Sequence, residues 1–244
     1  NSYGYEEALR RGAERIGWAS RKPAGSSPGV RKRGIGVGTQ GIWVSGCMGF
    51  PDIYEHTGAI VKLNRDGTAD VATATVDIGS GAITALSQIA AAELGIGVEK
   101  VRLVSANTDT VPFDAPTHAS RVTYSSGLAV KAAAAEAKKR VFEIAAGLME
   151  ANPDDLEMSD AQVYVKGSPK STLPLTEVIR VAETPFIKDT FAGPRPSSPP
   201  QYKGTIMGSS SLAPPENPSP AAAMFAEVEV DTETGQVKVL RCVY

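Results

Sequence analysis

The sequence predicts an α+β fold of β-hairpins and mixed sheets with packed helices. Three observations carry that prediction. GAIVKLNRDGTADVATATV and the C-terminal AAMFAEVEV-DTETG-QVKVLRCVY each read as two β-prone runs around a turn, and Ile83 to Leu94 and Val130 to Leu148 place apolar residues at helical spacing. Glycine and proline clusters separate these segments and mark boundaries. With 42% hydrophobic residues in 244, the chain is long enough to bury a core as one large domain or two small ones.

Taken in order, Ala8, Leu9, Ala13 and Ile16 define a short helix over 5–16, with Gly17 as its stop. PAGSSPG, residues 23–29, is a loop, and RGIGVGTQGIWVSGCMGF, 33–50, is too glycine-rich for a helix and reads as extended strand with bulges. The 58–76 hairpin turns through Asn64, Arg65, Asp66 and Gly67 and delivers a strand to Asp77. Ile83, Leu86, Ile89, Ala90 and Leu94 then follow helical spacing up to Gly95, and VRLVSAN is a further strand. Pro112 and Pro116 keep the next loop irregular. A long helix follows, with Ser125 or Ser126 as its cap, Val130, Ala134, Ala137, Val141, Ile144 and Leu148 on one face, and Glu136 one turn before Arg140. Short extended runs near 156–158 and 162–166 precede a helical LTEVIRVAE. From Phe191 to Pro220 proline and serine dominate, which reads as a long loop or linker. In the last hairpin Glu227 and Glu229 share one strand face, and Val228 and Val230 the other.

Composition excludes several function classes. The 25 basic and 27 acidic residues nearly cancel, and the one tight basic run, Arg31 to Arg33, has no interleaved aromatics, so it reads as a solvated loop rather than a nucleic-acid surface. Cys47 and Cys242 stand far apart, with no iron-sulfur or zinc-finger spacing, and fit a reducing compartment. No stretch approaches the roughly 18 apolar residues of a membrane span, and the start lacks a signal-peptide layout, so the expectation is a cytoplasmic protein. Asn1 is not an initiator methionine, and Tyr244 falls inside an apolar run; a piece of a longer polypeptide is expected, with a proteolytically matured protein as the competing reading.

The chemistry concentrates in two loops. DIGSG, a glycine turn opening a helix, is suited to an oxyanion because such a turn exposes backbone N–H groups at the positive end of the helix dipole, and Ser80 and Thr84 add hydroxyls. It is neither a P-loop nor GxGxxG, and a plain tight turn is the more ordinary reading. APTHASR gathers Thr117, His118, Ala119, Ser120 and Arg121, small enough for close backbone approach to a ligand. His118 reads as a backbone-contact or structural residue rather than a general base, and Arg121 as either an anion ligand or the partner of Asp109 or Asp114. Trp18 and Trp43 read as packing residues.

Several texts occur in one order: TGAIVKLNRDGT, the turn and helix from Asp77 to Gly95, NTDTVP, PTHASR, and AEVEVDTETGQVKVLR. Together they resemble the molybdopterin-binding subunit of the xanthine dehydrogenase and aldehyde oxidase family, over most of residues 33–244, with IGW in the leader also family-like. The resemblance implies part of the molybdenum cofactor-binding fold, with contacts to molybdopterin from Gly79, Ser80 and Gly81 and from Thr117, His118, Ala119 and Ser120. It implies no protein ligand to molybdenum, and it leaves open whether the cofactor carries a cytosine dinucleotide. Ser80 stands where many members have a glutamine.

The activity implied is water-dependent hydroxylation of an aldehyde or N-heterocycle. The rest of the same subunit, together with iron-sulfur and flavin (FAD) subunits, would be partners. The expected division is a leader helix and linker (1–32), a first cofactor-binding lobe (33–190), the proline-serine loop (191–220), and a hairpin beginning a further lobe (221–244). The alternatives are a non-catalytic assembly module of the same fold and a small-anion-binding domain.

Overall fold

A computed structural model describes residues 4–40, 56–105, 107–183, 204–215 and 221–244. The chain forms two compact units, one from Asn1–Val44 with Pro218–Tyr244 and the other from Ser45–Asn217. Trp43, Cys47 and the rest of 41–50 lie outside the described residues, as do 191–203 and 216–220.

In the first unit, helix α1 (Tyr5–Ile16) ends at Gly17, whose φ of 79° lets its N–H turn back on the Ala13 and Glu14 carbonyls. Strand β1 (Arg31–Gln40), β9 (Ala222–Asp231) and β10 (Val237–Val243) form an antiparallel sheet in the order β1-β9-β10. The apolar stripe of α1 places Ile16 against Phe225 and Ala223, with Ala8, Leu9, Ala13, Trp18 and Ile35 around them. Trp18 meets Phe225 edge-on at 5.7 Å and carries the Arg21 guanidinium on its face at 4.0 Å, so it packs as its sequence context suggests. The basic run is not a loop. Arg31 to Arg33 begin β1, and Arg33 Nε donates to Glu229 Oε2 at 2.9 Å across the sheet, because pairing with β9 places these charges opposite its acidic face.

The second unit holds the larger core. Strand β2 (Thr57–Leu63) pairs antiparallel with β3 (Ala69–Thr73) and with β8 (Met207–Leu212), while β3 pairs in parallel with β4 (Val101–Ser105), giving the order β4-β3-β2-β8. Alternate residues Ala59, Val61 and Leu63 of β2 and Ala69 and Val71 of β3 are buried. They share one core with Leu86, Ala90 and Leu94 of α2 (Ala82–Leu94) and Val130, Ala134, Ala137 and Val141 of α3 (Val122–Met149).

Three elements differ from the sequence expectation. Ser125 and Ser126 do not cap α3; the helix begins at Val122, and both serines are buried one turn inside it. Within the proline-serine stretch, 207–212 is a strand. Its small residues let it lie against α3, where Ser210 Oγ donates to Ala129 O at 2.7 Å and Ser209 N to Glu136 Oε2 at 2.6 Å. That amide first, then Arg140, hold Glu136 below the usual carboxylate range. A further strand, β7 (Ser168–Pro174), joins β5 (Leu156–Ser159) and β6 (Gln162–Val165) in a third sheet, at whose edge its prolines are tolerated. Helix α4 (Leu175–Glu183) follows, with Leu175, Val178, Ile179 and Ala182 buried in the same core.

Candidate functional site

The two loops singled out in the sequence meet for a topological reason. β3 and β4 are parallel neighbours, so their carboxyl ends lie on the same edge of the sheet. The chain leaves β3 toward the 77–81 turn and leaves β4 toward the 107–121 loop. Ligand sites in sheets with parallel strands gather beyond such ends. Here the two loops touch: Thr117 Oγ1 donates to Val76 O at 2.9 Å, one residue before Asp77.

In the turn, Gly79 and Gly81 adopt φ of 94° and 76°, a region that L side chains rarely occupy. A Cβ built on either would meet nothing within 4 Å, so the backbone here faces open space. The amides, however, already have a partner in the chain. Asp77 Oδ1 accepts from Gly79 N at 2.8 Å and Gly81 N at 3.3 Å, and Oδ2 from Ile83 N at 3.4 Å. The turn, for which an oxyanion cradle and a plain tight turn are the two readings of the sequence, encloses its own carboxylate at the N-terminus of α2. Sequence reading missed this role, although an Asp two residues before a glycine is the signature of an Asx turn.

These bonds, the Gly79 amide foremost, hold the Asp77 carboxyl below its ordinary range. Because the folded value is depressed, the contribution of Asp77 is complete above the unfolded value of about 3.9 and is lost as pH falls through the lower folded value. Protection of the Gly79, Gly81 and Ile83 amides, read by hydrogen exchange corrected for intrinsic rate, is expected to hold at neutral pH and to fail only in acid. Asp77→Ala should lack that protection at both.

The second loop is fixed at both ends. Gly58 N donates to Phe113 O at 2.8 Å and Ala115 N to His56 O at 3.2 Å, stitching the start of the loop to β2. A Cβ at Gly58 would lie 2.6 Å from Pro112 Cβ, so glycine permits that approach. At the far end Arg121 N donates to His118 O at 3.0 Å. Between them Ala119 and Ser120 take φ of 44° and 56°, both exposed and both left-handed without being glycine. Such residues carry strain of order 1 kcal/mol each and persist where the surroundings hold them.

The loop that carries them is closed by a buried ion pair. Of the alternatives open for Arg121, the structure selects Asp114: Nη1 donates to Asp114 Oδ1 at 3.0 Å and to Ala115 O at 2.8 Å, and Nη2 to Thr57 Oγ1 at 2.7 Å. The two side chains are 0% and 1% exposed. Thr57 Oγ1 in turn donates to Asp114 Oδ1 at 2.6 Å, while Thr75 Oγ1 at 2.8 Å and Ser126 Oγ at 3.1 Å donate to Oδ2. Sequence reading named Asp114 but neither threonine; hydroxyls scattered over 70 residues leave no spacing to read.

Gly79, Ser80 and Gly81 and Thr117, His118, Ala119 and Ser120 thus lie on two loops joined at their bases, with Thr117 and His118 half-buried and the other five exposed.

Comparison with known proteins places the chain in a family. The chain is 28% identical over 246 residues to the xanthine dehydrogenase molybdenum-binding subunit of Escherichia coli O157:H7, covering 98% of this chain and 30% of that protein. It is 28% identical over 183 residues to the carbon monoxide dehydrogenase large chain of Afipia carboxidovorans, covering 75% of this chain and 21% of the relative. Quinoline 2-oxidoreductase from Pseudomonas putida 86 superposes with a TM-score of 0.71 at 25% identity, over 97% of this chain and 28% of that one. The chain spans less than a third of the length of these relatives. The family model of the molybdopterin cofactor-binding domain matches residues 11–244, and it is to this family that the chain belongs.

Proposed function

We propose that this chain is the part of a molybdenum hydroxylase subunit that grips molybdopterin between the 77–81 turn and the 117–120 loop. The Thr117–Val76 hydrogen bond carries the reading, because it brings the two loops together at the carboxyl ends of parallel strands. Gly79 and Gly81 leave the turn approachable by a flat ligand edge, Ser80 offers a short hydroxyl, and the 117–120 backbone supplies carbonyl and amide groups opposite. When bound, the molybdenum-pterin group supplies the redox chemistry for water-dependent hydroxylation of an aldehyde or N-heterocycle. The residues of this chain bind and orient that group. Electrons would leave through iron-sulfur and FAD partners.

The complete subunit, produced with its partner subunits, is expected to carry stoichiometric molybdenum and a pterin released on denaturation. A correctly assembled complex free of both would favour the alternative, a non-catalytic assembly module of the same fold.

A further inference from the structure

We propose that Asp114 is a positioning residue that locks the two loops in register, so that neither can shift without the other. Its carboxylate is divided between them. Oδ1 takes Arg121, which closes the 115–121 loop, and Thr57, which anchors that loop to β2; Oδ2 takes Thr75, two residues before the glycine turn, and Ser126, on the first turns of α3. One planar group thereby sets the distance between the strand feeding the first loop and the helix leaving the second. The side chain is 1% exposed although the residue as a whole is not fully buried, so its solvent-facing atoms are backbone and the carboxylate is reserved for this role. Four donors on one carboxylate in a dry site form a network in which each bond depends on the others.

The Thr117–Val76 bond closes the same circuit on the outside, from the side chain of one loop to the backbone leading into the other. Ala119 and Ser120 lie between that bond and Arg121, and their left-handed backbone is held from both sides. For a cofactor the consequence is that loop spacing is fixed before binding. That consequence rests on the function proposed above; the locking itself does not.

The test uses the full-length subunit with Thr75→Val, which removes one donor to Oδ2 and leaves the Asp114–Arg121 pair in place. In the cofactor-free protein, hydrogen exchange should become about tenfold faster at Gly79, Gly81 and Ile83 and also at Ala115 and Arg121, while Val61 and Val141 keep their wild-type rates. Thr75→Ser should restore both loops. Faster exchange confined to 79–83 would overturn the proposal, as would a uniform change that includes Val61 and Val141. Asp114→Asn should repeat the pattern more strongly; if it does not fold, Thr75→Val decides alone. In the assembled enzyme, Thr75→Val should lose molybdenum and pterin on dialysis faster than the wild type, with Thr75→Ser retaining them; equal retention would count against a positioning role. A wild-type complex that never holds the cofactor refutes the proposed function, and the exchange result still judges the locking.

Discussion

Replacing Arg121 with methionine is expected to destabilise the second unit by about 3–5 kcal/mol, because it strips a buried carboxylate of its counter-charge while leaving that carboxylate in place. Methionine fills a similar volume, so the effect is electrostatic rather than a cavity. Oδ1 of Asp114 would keep only Thr57, and Ala115 O would lose its donor. Arg121→Lys should recover only part of the loss, since one ammonium cannot reach Asp114, Ala115 O and Thr57 with the geometry of a guanidinium fork. The double variant Asp114→Asn with Arg121→Met should cost less than the sum of its parts, because the charge left unpaired in either single variant is absent. Urea unfolding gives all four numbers, provided the slope is unchanged. A loss under about 1 kcal/mol for Arg121→Met would mean that water reaches the pair.

Gly208→Ala is the second large effect. A Cβ at Gly208 would lie 2.0 Å from Ala133 O and 2.5 Å from Ala137 N, both backbone atoms of α3. No side chain can swing aside to make room, so either β8 or the helix must move. Overpacking of this kind costs about 1–3 kcal/mol, and more where the obstruction is backbone. Ala133→Gly should give no rescue, because the obstruction is a carbonyl and not a methyl. The displaced strand would also pull Ser209 N from Glu136 and Ser210 Oγ from Ala129 O. A thermal midpoint within error of the wild type would show that β8 and α3 are less closely packed than described.

These two residues mark where the sequence was readable and where it was not. The α+β class, the helices from Ala82 and into Met149, and the 58–76 and C-terminal hairpins follow from periodicity and turn chemistry, signals that are local and survive without tertiary context. β8 was hidden because its packing needs smallness, and glycine and serine among prolines look like a linker until a helix is laid against them. β7 was hidden because an edge strand has no need of an apolar face. At the site, the two loops could be named from their text, and even the Arg121–Asp114 pair was among the alternatives. The Asp77 carboxylate inside its own turn was not foreseen, since an exposed amide and one already bonded to a nearby side chain leave the same glycines in the sequence. Ser125 and Ser126 were placed a turn too late as caps because serine before an apolar run is the ordinary start signal. Here one of them serves the buried carboxylate instead.

The pairing of β1 with β9 joins Arg31 to Asp231, across an interval that contains the whole second unit. On a ribosome this imposes an order. Among the described residues, the last strand of the second unit is complete once Leu212 has emerged, whereas the first must keep β1 and α1 waiting, unpaired, until residues 222–243 follow. Until those residues emerge the glycine-rich β1 lacks its partner strand, and its polar side chains, Arg31, Lys32, Arg33 and Thr39, are what keep such an edge from recruiting a stranger. The segment that carries α1 and β1, made before the second unit, is thus completed only after it.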